Sequence, residues 1–169
     1  MILKELLERS EYTLVQGSED VEISTLVYDS RKIEKGSVFV CISGAVSDGH
    51  TYIEQVAEKG AAAVIVEKDV EAPEGLTVIK VKDTRYALAM TSAAYFGYPA
   101  EKLKVIGITG TKGKTTTTYM VKSILEEVGI RVGLIGTIEA IIGDKNIPAN
   151  NTTPESYTIQ KYFAEMVEA

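Results

Sequence analysis

The chain has 169 residues, 45% apolar and 25% charged, which suits one ordinary domain, or a small domain plus part of another, and is a globular composition without a disordered bias. A net charge of −6 argues against a nucleic-acid surface, which needs concentrated positive charge. No run reaches the roughly 18 to 20 apolar residues of a membrane span, and the opening "MILKELLERSE" reads as an acidic amphipathic helix rather than a secretion signal, so a cytoplasmic protein without membrane insertion is expected.

The first helix pattern covers residues 3–9. Strand patterns follow at 23–29 ("ISTLVYD") and 38–42 ("VFVCI"), then an amphipathic stretch at 51–59, strands at 62–67 ("AAVIVE") and 77–81 ("TVIKV"), and a helix at 84–96. Short β-branched runs alternating with amphipathic stretches predict an α/β fold with mostly parallel strands. The single cysteine, Cys41, has no internal disulfide partner and lies within "VFVCIS", where it reads as a small buried hydrophobe without a redox role.

Glycine and proline in "GYPAEKLK" end a helix before the strand pattern "KVIGIT" at 104–109, which puts a boundary near 97–104. The expected domains are 1–103 and 104–169. The first carries 11 Lys and Arg against 17 Asp and Glu, the second 7 against 7. An anion bound in the second part must therefore be held by local groups and not by the overall field. A helix is expected at 114–128, a strand at 131–137 ("RVGLIGT"), and a final helix from Pro154, with Thr153 as its N-cap, Pro154 in its first position, and Ile159, Tyr162, Phe163, Met166 and Val167 forming an apolar stripe. Only one strong strand pattern follows "KVIGIT", and the last helix has no stop signal before Ala169. The expectation is a complete small domain followed by the opening of a larger parallel-sheet domain, cut short.

The stretch "GITGTKGKTTTTYM" from Gly107 joins a strand, a glycine turn and a helix start in that order. Such an arrangement collects unpaired backbone N–H groups and the positive end of a helix dipole at one point, which suits phosphate. Gly110 and Gly113 can bring the backbone close to an anion, with Thr111 and Lys112 between them. Lys114 would reach the β- and γ-phosphates, the Thr115 hydroxyl would coordinate Mg2+, and Thr116 would support the phosphates. Thr117 and Thr118 read as packed or capping. The spacing G-x-x-G-K-T departs from the strict loop G-x-x-x-x-G-K-S/T, and a plain glycine turn leading into a helix is the competing reading. Four successive threonines are poor helix formers and favour the ligand reading.

"GITGTKGKTTT" resembles the ATP loop of the Mur ligases, usually G-T-N-G-K-S/T, with Lys112 replacing the asparagine. Upstream, "DSRKIEKGSVFVCISG" and "SDGHTYIEQVAEKGAAAVIVE" resemble the uridine-binding domain of the family member that adds the third residue to the muramyl peptide; downstream, "NTTPES" resembles its substrate loop. The resemblance implies an ATP- and Mg2+-dependent ligase of peptidoglycan synthesis, with UDP-N-acetylmuramoyl-L-alanyl-D-glutamate and a diamino acid as substrates. It would work as a monomer, through an acyl phosphate on the D-glutamate carboxylate. It also implies that Lys114 and Thr115 carry the catalytic work and that Gly110–Thr116 forms the ATP loop. Tyr28, Ser30, Ser47 and Asp48 would bind the uridine diphosphate end, and Asn151, Thr152 and Thr153 the muramyl portion. Ser and Asp in a strand-end turn do offer donors and acceptors for such a ligand.

Other readings stay open on the residues alone. Residues 29–31 read equally as a surface turn in which Arg31 pairs with Asp29 or Asp48, and Thr153 as a helix cap with Asn151 steadying the turn before it. His50, the only histidine, lacks a Cys or His partner and reads as a turn or packing residue. A neighbouring-step ligase of the same family, a non-catalytic nucleotide-binding module and a P-loop kinase or GTPase are the alternatives, the last lacking an N-K-x-D motif or an Arg-rich lid. The acidic Mg2+ ligand of a later strand, a modified lysine and the domain that selects the amino acid have no counterpart here, so these residues alone are expected to be inactive.

Overall fold

Apolar runs too short for helices become the centre of a sheet. In the computed structural model, which describes residues 1–44, 47–149, 151 and 153–169, the chain divides into two units, Met1–Tyr95 and Phe96–Ala169.

The first unit contains α1 (Leu3–Leu6), β1 (Thr13–Gln16), β2 (Leu26–Val27), β3 (Val38–Val40), α2 (Ile53–Glu58), β4 (Ala63–Val66), β5 (Thr77–Lys80) and α3 (Thr84–Tyr95). Its five-stranded sheet has the order β1-β5-β4-β3-β2. The pairs β2–β3, β3–β4 and β4–β5 are parallel. All four residues of β4 are buried, as expected of a parallel strand covered on both faces. Phe39, Val64, Val66 and Val78 pack with Ile53 and Val56 of α2 and with Cys41 in one apolar cluster. Val38, Val40, Ile65 and Ile79 alternate with them along the strands and are equally buried, while α3 packs against β2, β3 and β4. Each such side chain contributes about 1.5–3 kcal/mol on burial.

The expected parallel α/β organisation is present here, with two departures. The pattern at 23–29 yields only Leu26–Val27 as strand, because the chain turns at once into a short 3-10 turn at Ser30–Lys32. β1 was not anticipated; it is an antiparallel edge strand, bulged between Leu14 and Gln16 and mostly exposed, so it lacks the apolar alternation that marks a strand in sequence.

The second unit contains α4 (Lys114–Glu127), β6 (Leu134–Ile135), β7 (Glu139–Ile142), β8 (Lys145–Pro148) and α5 (Ser156–Glu168). β6, β7 and β8 form an antiparallel sheet, with β7 and β8 joined by the two-residue turn Gly143–Asp144. The strand expected at 104–109 is not a strand: among the described residues nothing pairs with it, and Val105 and Ile106 are exposed. An apolar segment becomes a strand only when a neighbour completes its ladder. The pattern at 131–137 likewise contracts to Leu134–Ile135. Tyr119 Oη donates to Glu139 Oε1 at 2.6 Å and ties α4 to β7. Phe96 meets Tyr157 of α5 edge to face, with ring centroids 5.2 Å apart.

Candidate functional site

In a parallel sheet the turns that leave the carboxyl ends of the strands share one edge, and ligands of open α/β sheets bind there. In the first unit this edge carries residues 28–31 after β2, 43–44 and 47–50 after β3, Glu67 and Lys68 after β4, and Thr84 after β5. The turns from Tyr28 and from Ser43 therefore leave neighbouring strands on the same side.

Asp29 caps the 3-10 turn by accepting from the Arg31 N–H, and its carboxylate pairs with the Arg31 guanidinium at 2.9 and 2.8 Å. The guanidinium hydrogen bond holds the Asp29 carboxyl at about 2, below its ordinary 3.8. Of the two pairings open to Arg31, the structure takes the one with Asp29. Ser30 is half-buried, and its backbone carbonyl accepts from Lys59 Nζ at 3.1 Å. Tyr28 is half-buried beside it.

Ser43 and Asp48 form an isolated antiparallel bridge, and the Gly44 N–H donates to the Ser47 carbonyl at 2.9 Å. Ser47 is exposed. Both carboxylate oxygens of Asp48 are engaged: Oδ1 lies 2.6 Å from His50 Nδ1 and accepts from the His50 N–H, and Oδ2 accepts from Lys68 Nζ at 2.5 Å. The lysine, then the histidine, push the Asp48 carboxyl well below the usual carboxylate range. Gly49 follows from close approach, since a Cβ there would lie 2.7 Å from the Ile42 nitrogen. His50 has the packing and turn role expected of it, its side chain only 6% exposed. Cys41 is fully buried, and burial pushes its thiol up to about 12, as befits a packing residue.

Sequence reasoning missed Glu67. Its carboxylate accepts from the Ser43 hydroxyl at 2.6 Å and from the Thr84 N–H and hydroxyl at 3.0 and 2.8 Å. These bonds, Ser43 first, hold the carboxyl at about 2 against an ordinary 4.5. The available signal was a lone acid closing the apolar run "AAVIVE".

In the second unit, Gly113 is the N-cap of α4 with φ +78°, a left-handed conformation that favours glycine, and Gly110 has φ +154°. Lys114 Nζ donates to the Gly110 carbonyl at 2.6 Å, so the amine lies over the loop it was expected to serve. Thr111, Lys112 and Thr116 are exposed and Thr115 is half-buried. Thr118 donates to the Thr115 carbonyl at 2.7 Å, a bond back along the first turn of the helix and not a cap.

The starts of α3 and α4 differ, while that of α5, like α4, has no side-chain cap and no acid in its first turn. At α3, Glu67 receives the Thr84 N–H, while Asp83 Oδ1 receives those of Arg85 and Tyr86 at 2.8 and 3.0 Å, so the chain's own carboxylates satisfy that terminus. At α4 no side chain caps the helix and no acid lies in its first turn. Its free N–H groups and dipole face a glycine loop with a lysine above it, which fits phosphate oxygens.

Asn151 and Thr153 are exposed; Thr152 lies outside the described residues. Thr153 does not cap the last helix. The N-cap is Glu155, whose extended backbone and carbonyl bond to the Ile159 N–H start α5 beyond Pro154 rather than at it. Among the described residues no group of three or more His, Cys, Asp or Glu side chains is placed to hold a metal, and no helix is long and apolar enough to cross a membrane.

Two family models match the chain: "Mur ligase family, catalytic domain" over residues 22–96 and "Mur ligase middle domain" over residues 108–169. The UDP-N-acetylmuramoyl-L-alanyl-D-glutamate--2,6-diaminopimelate ligase of Clostridium perfringens is 51% identical over 169 residues, covering 100% of this chain and 35% of that protein. A solved structure of a ligase of the same name superposes with a TM-score of 0.74 over 99% of this chain and 34% of the other, at 20% identity. A MurF ligase from Thermotoga maritima, solved in complex with ADP, gives a TM-score of 0.53 over 85% of this chain and 29% of its own, at 22% identity. The chain thus spans about a third of the length of the curated relatives it matches.

Proposed function

Since the chain belongs to the Mur ligase family, we propose that it supplies the nucleotide-substrate and ATP-loop portion of a cytoplasmic, monomeric ligase that joins diaminopimelate to UDP-N-acetylmuramoyl-L-alanyl-D-glutamate. Residues 1–103 are the uridine nucleotide-binding domain and residues 104–169 the beginning of the central ATP-binding domain. The choice of diaminopimelate follows the name of the relatives. The observation that carries the reading is the start of α4, free of a side-chain cap, behind Gly110 and Gly113 with Lys114 Nζ on the loop.

The loop N–H groups and Lys114 hold the polyphosphate and neutralise charge as the terminal phosphoryl group passes to the D-glutamate carboxylate; the diamino acid's amine then attacks the resulting acyl phosphate and expels phosphate. Mg2+, when bound, would offset phosphate charge beside the Thr115 hydroxyl and the nucleotide's own oxygens. Tyr28, Ser30 and Ser47, with Asp48 beside them, receive the uridine diphosphate end. Asn151, Thr152 and Thr153 serve the muramyl portion.

The test is calorimetric titration of the 169-residue chain with the muramyl dipeptide nucleotide, UMP and Mg-ATP. Saturable binding of the muramyl nucleotide, weakened by Ser30→Ala, together with Mg-ATP binding lost in Lys114→Ala, is the expected outcome. Absence of binding to both uridine nucleotides would overturn the reading. Because the chain spans about a third of its relatives, the 169 residues alone are expected to form no tripeptide product, and product formation from ATP would contradict this.

A further inference from the structure

We propose that Glu67, acting with His50, is a positioning residue that sets the turn bearing Ser47 for the uridine nucleotide, an inference that rests on the function proposed above. Ser43 and Asp48 form the neck of that turn. Glu67, at the end of β4, grips both sides of the neck. Its carboxylate accepts from the Ser43 hydroxyl at 2.6 Å on one side, and its backbone N–H donates to His50 Nε2 at 3.1 Å on the other. Since Nε2 accepts that bond, the ring proton sits on Nδ1, where it is donated to Asp48 Oδ1 at 2.6 Å. One residue thereby ties Ser43, at the start of the turn, by its side chain and His50, just past its end, by its main chain.

The second carboxylate oxygen of Glu67 is held by the Thr84 N–H and hydroxyl at the start of α3, so the grip is referred to a rigid element of the fold. Lys68 holds the free oxygen of Asp48 at 2.5 Å. The carboxylates are spent on each other's neighbours, and Ser47, next to Asp48, is left exposed. Ser43, Asp48 and His50 are thus held by partners within the protein next to exposed Ser47, which lowers the ordering cost of a contact made there.

The test uses the chain with Ser43→Ala, Ser43→Thr and His50→Gln. In the unaltered chain, a proton–nitrogen correlation of the imidazole is expected to show the neutral ring protonated at Nδ1. Ser43→Ala and His50→Gln are each expected to weaken binding of UMP and the muramyl nucleotide by about tenfold, the scale of one hydrogen bond to a charged or well-ordered group. Ser43→Thr, which keeps the hydroxyl, restores it. Amide exchange should quicken in Ser43→Ala at Gly44 and Gly49, whose N–H groups bond across the turn, while the β4 amides keep their protection. Unchanged affinity in both variants, or a loss that Ser43→Thr fails to restore, overturns the proposal. If the unaltered chain binds no uridine nucleotide, the function reading fails and takes the ligand role with it; unchanged exchange at Gly44 and Gly49 overturns the clasp itself.

Discussion

At the scale of single residues, the first unit places much of its polar chemistry on three carboxylates at one sheet edge. Asp29, Asp48 and Glu67 are all held below their ordinary range by hydrogen-bond donors that reward the charged form. For Glu67 the folded value of about 2 lies under the ordinary 4.5, so its contribution to stability is complete above the latter and is lost as pH falls toward the former. The midpoint of urea unfolding of the first unit is therefore expected to fall as pH drops from about 5 to about 3, and Glu67→Gln is expected to flatten that fall. An equally steep decline in the variant would assign the acid sensitivity to the other carboxylates. Ser30 and Ser47 were legible in the sequence as turn residues, and His50 as a structural one. Glu67 was not, because its partners Ser43 and Thr84 are 24 and 17 residues away and meet it only when β3, β4 and β5 lie side by side.

At the scale of elements, the chain's own carboxylates close the start of α3 and not that of α4. Asp83 accepts the N–H groups of Arg85 and Tyr86. Asp83→Ala is accordingly expected to cost about 1 kcal/mol of first-unit stability, read as a lower urea midpoint at unchanged slope. Gly113→Ala at the α4 start should instead be felt through its φ of +78° and in Mg-ATP affinity, since nothing within 4 Å would meet an added Cβ. A Gly113→Ala chain that bound Mg-ATP as before would argue against this loop as the phosphate cradle. Helix α4 was legible from its apolar spacing and its glycine loop, but Met120, Ile124 and Val128, which that spacing puts on a buried face, are exposed. The start of α5 was displaced because two good signals, Thr153 and Pro154, gave way to a helix beginning at Ser156.

At the scale of the whole chain, the core is unevenly shared. The buried apolar residues lie chiefly on β2 to β5 and on α1 to α3, whereas α4 and α5 bury none, and Met120, Ile124 and Val128 form an exposed apolar row along α4. An open apolar groove of about 680 Å³ in the second unit is lined by Val105, Ile106, Val121, Leu125 and Phe163 among others. Amide exchange in the isolated chain should thus show strong protection in β3 to β5 and weak protection in α4 and α5, because local stability follows buried contact; equal protection in β4 and α4 would contradict this account. The sequence by itself determined the α/β class, the parallel strands of the first unit, the glycine loop before α4 and the family, since each is written in local periodicity, spacing or contiguous motifs. Only the tertiary structure decided that, among the described residues, 104–109 is left without a strand partner, that β7 and β8 pair as a hairpin, that Asp48 is engaged by His50 and Lys68, and that Glu67 meets Ser43 and Thr84. Each of these depends on which distant segment supplies the missing hydrogen-bond partner, and no local pattern encodes that.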